Sequence, residues 1–228
     1  MQAASTSSVT KTFPGGIQAL DALDIEVLFG EVFAVIGANG SGKTTLLQLL
    51  VGALRPDTGR VLTLGVDPAT QPKGLKAKIG YVPQHLALDP EMTGHETLSL
   101  FCTLYGLTGR ERHRRVEALT ADFGLAAVLS RRVSTYSGGF RQRLHVAIGM
   151  VHEPRLILLD EPTSELDPDA CASLWEAMRG YADRGHSVVV VTHDLEDVTR
   201  QCARAALLSR GKVRLVGTPQ EIIAEHGQ

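Results

Sequence analysis

Nine residues in the first quarter of the chain have the types and the spacing needed to hold phosphate groups. They fit the pattern G-x-x-x-x-G-K-[ST] between an apolar run and a leucine-rich helix. Glycines allow a tight turn in which backbone N–H groups reach phosphate oxygens, and the helix start adds partial positive charge. Lys43 supplies a full positive charge, and the Thr44 hydroxyl is suited to bind Mg²⁺. The residues of this predicted nucleotide-binding stretch, the phosphate loop, are Gly37, Ala38, Asn39, Gly40, Ser41, Gly42, Lys43, Thr44 and Thr45.

Two acidic residues, Asp160 and Glu161, directly follow the apolar run Leu156–Leu159. Such a run predicts a strand buried on both faces, and α/β sheets present ligands at the carboxyl ends of their strands. There Asp160 is suited to hold Mg²⁺, and Glu161 is suited to orient and deprotonate a water molecule that attacks phosphate. The alternative is a pair of surface acids at a strand end, but the phosphate loop in the same chain favours the chemical role.

A third stretch, Ser137-Gly138-Gly139, precedes a predicted helix at 141–151. Taken alone, it is best explained as a helix cap in which Ser137 satisfies a free N–H group. The same geometry also forms a surface that can face phosphate, because it combines a hydroxyl, two amides without side chains and a helix N-terminus. These residues do not say whose phosphate that would be.

The elements that must position these residues predict an α/β fold. Leu23, Ile25 and Val27 alternate with acids, which is typical of a half-buried antiparallel strand. Continuous apolar runs predict parallel strands covered on both faces at 32–36, 156–159 and 188–191.

Helices fill the middle of the chain. Thr93 and Glu96 form a capping box, and the predicted helices cover 98–107, 112–123 and 141–151. We therefore predict a single domain over 1–228 that combines a phosphate-loop NTPase core, an antiparallel β subdomain and an inserted α-helical lobe. The core and β part take about 1–84 and 152–228, the lobe takes about 85–151, and Gln84 lies at one hinge.

The composition excludes several classes of protein. A net charge of −2 provides no basic field, so no nucleic-acid partner is expected. Three scattered cysteines without a C-x-x-C pair predict free thiols in a reducing compartment. The N-terminus lacks the blocks of a signal peptide, and no apolar run approaches the roughly 20 residues of a membrane-spanning helix. The expected location is the cytoplasm, with any membrane-spanning part supplied by another polypeptide.

In the order of its motifs the chain resembles the ABC-type ATPases, the nucleotide-binding subunits of ABC transporters, over nearly its full length. This ordered set is far more specific than a phosphate loop alone. The motifs are Phe13 at the position of an adenine-stacking aromatic, the phosphate loop (Walker A), the Q-loop residue Gln84, the signature Tyr136–Phe140, the Walker B pair Asp160-Glu161, the D-loop Ser164–Asp167 and the switch residue His193. The segments 86–90 and 105–107 are similar to those of bacterial exporter subunits with separate permeases.

The resemblance implies that two chains close head to tail on two ATP molecules. Each site would join the Walker motifs of one chain to Ser137, Gly138 and Gly139 of the other. The implied ligands are ATP and Mg²⁺. The implied partners are a second copy or a related chain, and a transmembrane permease through which alone the chain would contact the cytoplasmic face of the membrane.

The resemblance also implies roles for single residues. His193 would contact the γ-phosphate and hold Glu161 with its water. Gln84 would sense Mg²⁺, alongside Thr44 and Asp160, and pass the lobe's motion to the permease. Asp167 would reach across the dimer. Because Glu161 and His193 are both present, hydrolysis is expected.

Some residues depart from the family pattern. The signature is more often Leu-Ser-Gly-Gly-Gln, so Tyr136 and Phe140 differ at its two ends while its centre is intact. Glu165 replaces a small D-loop residue and adds charge at the expected dimer seam, or is a surface acid without effect. Phe13 can stack on adenine but lacks the tyrosine hydroxyl.

The predicted function is ATP hydrolysis that drives a membrane transporter, with export implied by the resemblance. One alternative is a soluble ABC-type ATPase that powers an assembly or division complex. Another, a phosphate-loop kinase, would leave Ser137–Gly139 and His193 without a role. His145 and His152, seven residues apart, would share a helix face, but no acid or cysteine completes a metal set there.

Overall fold

A computed structural model of the chain describes residues 1–85, 88–164 and 166–226. Its strands are β1 (Gln2–Phe13), β2 (Ile17–Leu28), β3 (Val32–Ile36), β4 (Thr58–Thr63), β5 (Ile79–Val82), β6 (Leu156–Asp160), β7 (Ser187–Thr192), β8 (Arg204–Ser209) and β9 (Lys212–Gly217). Its helices are α1 (Lys43–Leu50), α2 (Pro72–Lys76), α3 (Gly94–Leu104), α4 (Gly109–Asp122), α5 (Gly138–Gly149), α6 (Pro168–Asp183), α7 (Leu195–Gln201) and α8 (Pro219–His226), with a 3₁₀ turn at Val133–Thr135.

The strands form two sheets. A six-stranded sheet has the order β5-β6-β7-β3-β8-β9, in which only β9 runs antiparallel to its neighbour. A three-stranded antiparallel sheet has the order β2-β1-β4. The predicted fold class, an NTPase core with an antiparallel β subdomain and a helical lobe, is confirmed. The lobe boundaries at 85 and 151 stay a prediction.

The parallel strands are buried on both faces, as their continuous apolar sequences require. Along β6, Ile157 and Leu159 join one apolar cluster, while Leu156 and Leu158 join another on the opposite face. The first cluster continues into α3, α4 and α5, and the second into α1 and the antiparallel sheet. The lobe is therefore attached to the core through shared apolar packing.

Register brings the chemical residues to one edge of the six-stranded sheet. Ile36 at the end of β3 pairs with Thr192, and Asp160 at the end of β6 pairs with Val191. The phosphate loop follows Ile36, and His193 follows Thr192. Three motifs that are far apart in the sequence thus leave adjacent strands side by side.

Side-chain caps fix the starts of several helices. Thr93 and Glu96 form both hydrogen bonds of the predicted capping box at the start of α3. Helix α5 begins three residues earlier than predicted, at Gly138, because the Ser137 hydroxyl accepts from the Phe140 N–H. The sequence analysis missed the short helices α2 and α7.

Helix α5 ends at Gly149, which corrects the expectation that His145 and His152 share a helix face. His152 lies beyond the helix and stacks on Tyr105, with ring centroids 3.9 Å apart. Among the described helices, none combines the length and the apolar character needed to cross a bilayer.

Candidate nucleotide site

The phosphate loop connects β3 to α1 and is held from two sides. Gly40 and Gly42 have φ angles of 77° and 109°, values in the left-handed region that favours glycine. A Cβ on Gly42 would also collide with the carbonyl oxygen of Ala19 on β2. From the β8–β9 turn, the Gly211 N–H donates to the Ser41 carbonyl at 2.9 Å. The loop is thereby fixed, and the first N–H groups of α1 have no intrahelical partner and can bind an anion.

Lys43, the first residue of α1, folds back over the loop. Its Nζ donates to the carbonyl oxygens of Gly37 at 2.7 Å and Ala38 at 3.3 Å. It also lies 3.4 Å from Oε1 of Glu161, and both side chains are less than a tenth exposed. Since isolated buried charges are costly, each of the two groups stabilises the other at this position.

Glu161 follows β6 in a backbone conformation that non-glycine residues rarely adopt, with φ of 50°. Its N–H donates to the Val191 carbonyl at 2.9 Å, which ties it to β7. Its Oε2 lies 3.0 Å from Nδ1 of His193. The structure therefore brings Lys43, Glu161 and His193 together, as the predicted roles of base and switch residue require.

Asp160 is buried beside Thr44. Burial raises the pKa of the Asp160 carboxyl, and contact with the Thr44 hydroxyl opposes that rise. The pKa of the Tyr81 phenol on neighbouring β5 is raised by burial and by the Asp160 charge. A cation beside Asp160 would offset the cost of this buried carboxylate.

The residues present fit ATP with Mg²⁺. Two buried polar atoms, Oγ of Ser41 and Oε1 of Glu161, lack a hydrogen-bond partner among the described residues, as expected where a polyanion and a water are to be received. Thr44 and Asp160 supply the hard oxygens that Mg²⁺ prefers. The described residues contain no cluster of three or more His, Cys, Asp or Glu that could hold a metal.

Phe13 ends β1 and pairs with Ile17 across the turn to β2. Two residues beyond Ile17, Ala19 lies against Gly42 of the phosphate loop. The hairpin that carries the half-buried Phe13, the residue predicted to stack on adenine, therefore contacts the loop through Ala19. The stacking itself stays a prediction.

The signature stretch lies away from the phosphate loop of the same chain. Ser137, Gly138 and Gly139 form the N-terminus of α5 in the helical lobe. Gly138 lines a cleft of about 370 Å³ together with Gln84 and Arg141. The cavity lined by the phosphate loop shares no residue with this cleft. The structure thus groups Gln84 with the signature, and within the described chain Gln84 makes no hydrogen bond to Thr44 or Asp160.

Asp167 caps α6, and its Oδ1 accepts from the Ala170 N–H at 2.9 Å. Ala170 in turn lies against Gly139, so the tips of α5 and α6 are packed together. Asp167 is therefore next to the signature of its own chain. The predicted charge at Glu165 lies outside the described residues.

Several residues at the site were missed by the sequence analysis. The phosphate loop shares a cavity of about 510 Å³ with Arg210 and Arg214 of the β8–β9 hairpin. Their only sequence signal was the turn Arg210-Gly211, which does not say where the hairpin lies. His145, buried on α5, lines the cleft with Gln84. Burial and the neighbouring His85 lower the pKa of His145 to about 4, so its imidazole is neutral at physiological pH.

Known proteins share this arrangement. The family model described as "ABC transporter" matches residues 20–164. The chain is 39% identical to the daunorubicin resistance ATP-binding protein DrrA3 of Streptomyces coeruleorubidus, over 93% of this chain and 67% of that protein. It is 35% identical to the Nod factor export ATP-binding protein I of Rhizobium etli, over 99% of this chain and 71% of that protein. The chain thus spans about two thirds of the length of these relatives.

A solved structure gives the same fold. The ATP-binding cassette MJ0796, in a dimeric post-hydrolysis state bound to ADP and Pi, superposes with a TM-score of 0.84 at 27% identity, covering 95% of this chain and 98% of that chain.

Proposed function

The chain belongs to the ABC transporter family and is an ATP hydrolase of that family, and from this premise we propose that it is the nucleotide-binding subunit of an exporter. It would act as a pair of such subunits attached to a separate transmembrane permease. The names of its relatives, which refer to drug resistance and to Nod factor export, support the outward direction.

In the proposed reaction the phosphate loop binds the triphosphate through its N–H groups, and Lys43 neutralises the terminal phosphates. Glu161 orients and deprotonates the attacking water, and His193 holds the Glu161 carboxylate at 3.0 Å. Mg²⁺, when bound by Thr44 and Asp160, would offset negative charge on the phosphates. The buried setting of Lys43 and Glu161 strengthens both electrostatic effects.

The separation of the two phosphate-facing surfaces is the observation that carries the proposal of a dimer. The phosphate loop and the Ser137–Gly139 tip line different cavities of the same chain. A second copy, or a related chain, placed head to tail would bring its own Ser137–Gly139 to the phosphates held by Lys43. The complete site then forms only on closure, in the manner of a residue supplied in trans.

The permease is proposed to contact a groove at the junction of lobe and core. This groove, of about 860 Å³, is lined by Tyr105, Arg114 and His152 among others. Next to it, Leu100 and Leu104 project from α3 and are 44% and 70% exposed. Exposed apolar side chains near a groove that is lined by both arginine and glutamate suit a cytoplasmic segment of a membrane protein. The ATPase would thereby lie on the cytoplasmic face of the membrane.

The dimer is tested with Glu161→Gln, which should bind ATP but hydrolyse it on the order of 10²–10⁴ times more slowly because the base is lost. Light scattering after size-exclusion chromatography should show twice the monomer mass with ATP and Mg²⁺, and the monomer mass with ADP. Adding Ser137→Arg should abolish the dimer, while Ser130→Arg on an exposed turn of the lobe should not. A Glu161→Gln protein that stays monomeric with ATP bound would contradict the proposal.

The permease is tested by purification from membranes. A polytopic membrane protein should co-purify with the chain, and Leu104→Glu should reduce its recovery without changing the ATPase rate of the free subunit. The exposed residue Leu28 on β2 offers a control, since Leu28→Glu should leave recovery unchanged. Recovery of only soluble partners would favour an assembly or division complex instead.

A further inference from the structure

Tyr136 stands immediately before Ser137, where the family more often has leucine. Its side chain is only 5% exposed. Its hydroxyl donates to the Val128 carbonyl at 2.7 Å, and its ring meets Phe140 edge-on at 6.2 Å. The residue next to the signature serine is therefore anchored in the lobe by a hydrogen bond that leucine could not make.

Gly94, the first residue of α3, lies directly against the Tyr136 hydroxyl and leaves no room for a side chain of its own. A Cβ at position 94 would overlap the Tyr136 oxygen, with 3.3 Å to Cζ of the ring and 3.4 Å to the Leu129 carbonyl. The φ of Gly94 is not in the left-handed region, so space and not backbone conformation requires glycine there. Burial raises the pKa of the Tyr136 phenol, and the adjacent Gly94 backbone and the charge of Arg131 oppose this rise.

The Tyr136 hydroxyl lies where two loop segments of the lobe are hydrogen-bonded to each other. The His95 N–H donates to Leu129 at 2.9 Å, and the Val133 N–H donates to Met92 at 2.9 Å. Residues 90–95 are thereby paired with residues 128–134 just ahead of the signature. Tyr136 adds a side-chain link to this pairing, one residue from Ser137.

We propose that Tyr136 is a positioning residue that determines the orientation of the Ser137–Gly139 tip. In this proposal Gly94, which has no side chain, leaves the space that the Tyr136 hydroxyl occupies. The inference rests on the proposed function, in which this tip faces the γ-phosphate held by the partner. A displacement of the tip by a fraction of an ångström would leave the protein folded, but it would weaken the contact between the tip and that phosphate.

The test is a double-mutant cycle of Gly94→Ala and Tyr136→Phe. Gly94→Ala should lower kcat about tenfold or more because the added Cβ displaces the hydroxyl and with it the tip. Tyr136→Phe should lower kcat about three- to tenfold through the lost hydrogen bond. The double variant should return to the level of Tyr136→Phe alone, since a Phe ring needs to move by only a few tenths of an ångström.

Two measurements separate positioning from folding. ATP affinity of each monomer should stay within about twofold of the wild type, because the phosphate loop is remote from Gly94, whereas dimerisation in the Glu161→Gln background should need more ATP. Gly74→Ala is the control, as a helical glycine where an added Cβ meets nothing, and it should change neither quantity. If Gly94→Ala alone does not fold, recovery of a folded double variant is the expected result.

The inference is overturned if Gly94→Ala has no effect on kcat, or if Tyr136→Phe does not rescue it. It is also overturned if ATP affinity of the monomer falls as much as kcat. In those cases Ser137→Arg would still prevent dimerisation and the proposed function would stand. If Ser137→Arg leaves the dimer intact, the proposed function fails and the positioning role fails with it, although the Gly94–Tyr136 coupling would remain visible in thermal unfolding.

Discussion

At the scale of single residues, the contacts of Glu161 define the chemistry. Its backbone is held at φ of 50° by the bond from its N–H to Val191. Its two carboxylate oxygens face Lys43 at 3.4 Å and His193 at 3.0 Å. An uncommon backbone conformation costs of order 1–3 kcal/mol and persists where its surroundings determine it, which is typical of functional sites.

Lys43→Ala removes the ammonium that neutralises the terminal phosphates. We expect ATP affinity to fall by about one to two orders of magnitude, because charge-assisted hydrogen bonds to phosphate are lost. Isothermal titration with ATP measures this. The control is Lys212→Ala, which removes a half-exposed ion pair with Asp21 and should leave affinity unchanged. Undiminished affinity in Lys43→Ala would refute the assignment of the loop.

Asp160→Asn should stabilise the protein while it abolishes Mg²⁺-dependent turnover. Burial raises the carboxyl pKa above its ordinary value of 3.8, so the folded state binds this proton more tightly than the unfolded state. The resulting penalty is absent below pH 3.8 and develops as the pH rises through the raised pKa. The variant should therefore gain on the order of 1 kcal/mol in the free energy of unfolding at pH 7.

Urea unfolding of both proteins at pH 4 and pH 7 checks this. The difference between them should be larger at pH 7, and the exposed control Asp183→Asn should show no such dependence. A variant that is less stable than the wild type at pH 7 would show that Asp160 contributes to the fold through its charge.

At the scale of elements, the N-terminal residues of α5 and α6 both cap their helices and belong to the predicted dimer site. Ser137 caps α5 and Asp167 caps α6, and both residues belong to the predicted dimer site. The cap interpretation and the functional interpretation are therefore compatible, because one geometry serves both.

Asp167 allows the two tasks to be separated. Asp167→Ala should cost about 1 kcal/mol of stability because the bond to the Ala170 N–H is lost, whereas Asp167→Asn keeps a good cap and should cost only a few tenths. If the carboxylate also reaches across the dimer, both variants should weaken ATP-driven dimerisation. Chemical unfolding and dimerisation in the Glu161→Gln background measure the two effects. Equal stability of Asp167→Ala and the wild type would show that the cap does not support α6.

The sequence analysis succeeded where a signal is local. The capping box of α3 contains its own hydrogen-bonding partners, so a short-range pattern sufficed to predict it. The short helix α7 was missed although Asp194 caps it, because seven residues show little periodicity. The proximity of Arg210 to the phosphate loop was not predictable, since it depends on β8 pairing with β3.

At the scale of the whole molecule, the proposed site is divided between two chains, and this predicts complementation. Glu161→Gln and Ser137→Arg should each be inactive alone. Mixing them produces heterodimers in which one site combines an intact Glu161 with an intact Ser137. In an equal mixture, random pairing would make half of the dimers mixed and half of their sites intact; because Ser137→Arg also weakens pairing, we expect turnover above that of either variant alone but no more than about a quarter of the wild-type value.

Phosphate release measured against the mixing ratio tests this, with Lys43→Ala plus Glu161→Gln as the control pair. Those two changes damage the same side of the site, so each mixed site retains a damaged Walker motif and no activity should return. Absence of recovery in the first mixture, although cross-linking shows that mixed dimers form, would place the whole site within one chain.

The contact between Lys43 and Glu161 also affects how the subunit behaves between transport cycles. In the structure Lys43 Nζ lies 3.4 Å from Oε1 of Glu161, so the lysine faces one oxygen of the proposed base. When ATP binds, its phosphate oxygens would attract the Lys43 ammonium. Glu161 would then be free to act as the base. The same lysine would therefore pair with the base in the empty subunit and with the phosphates in the loaded one.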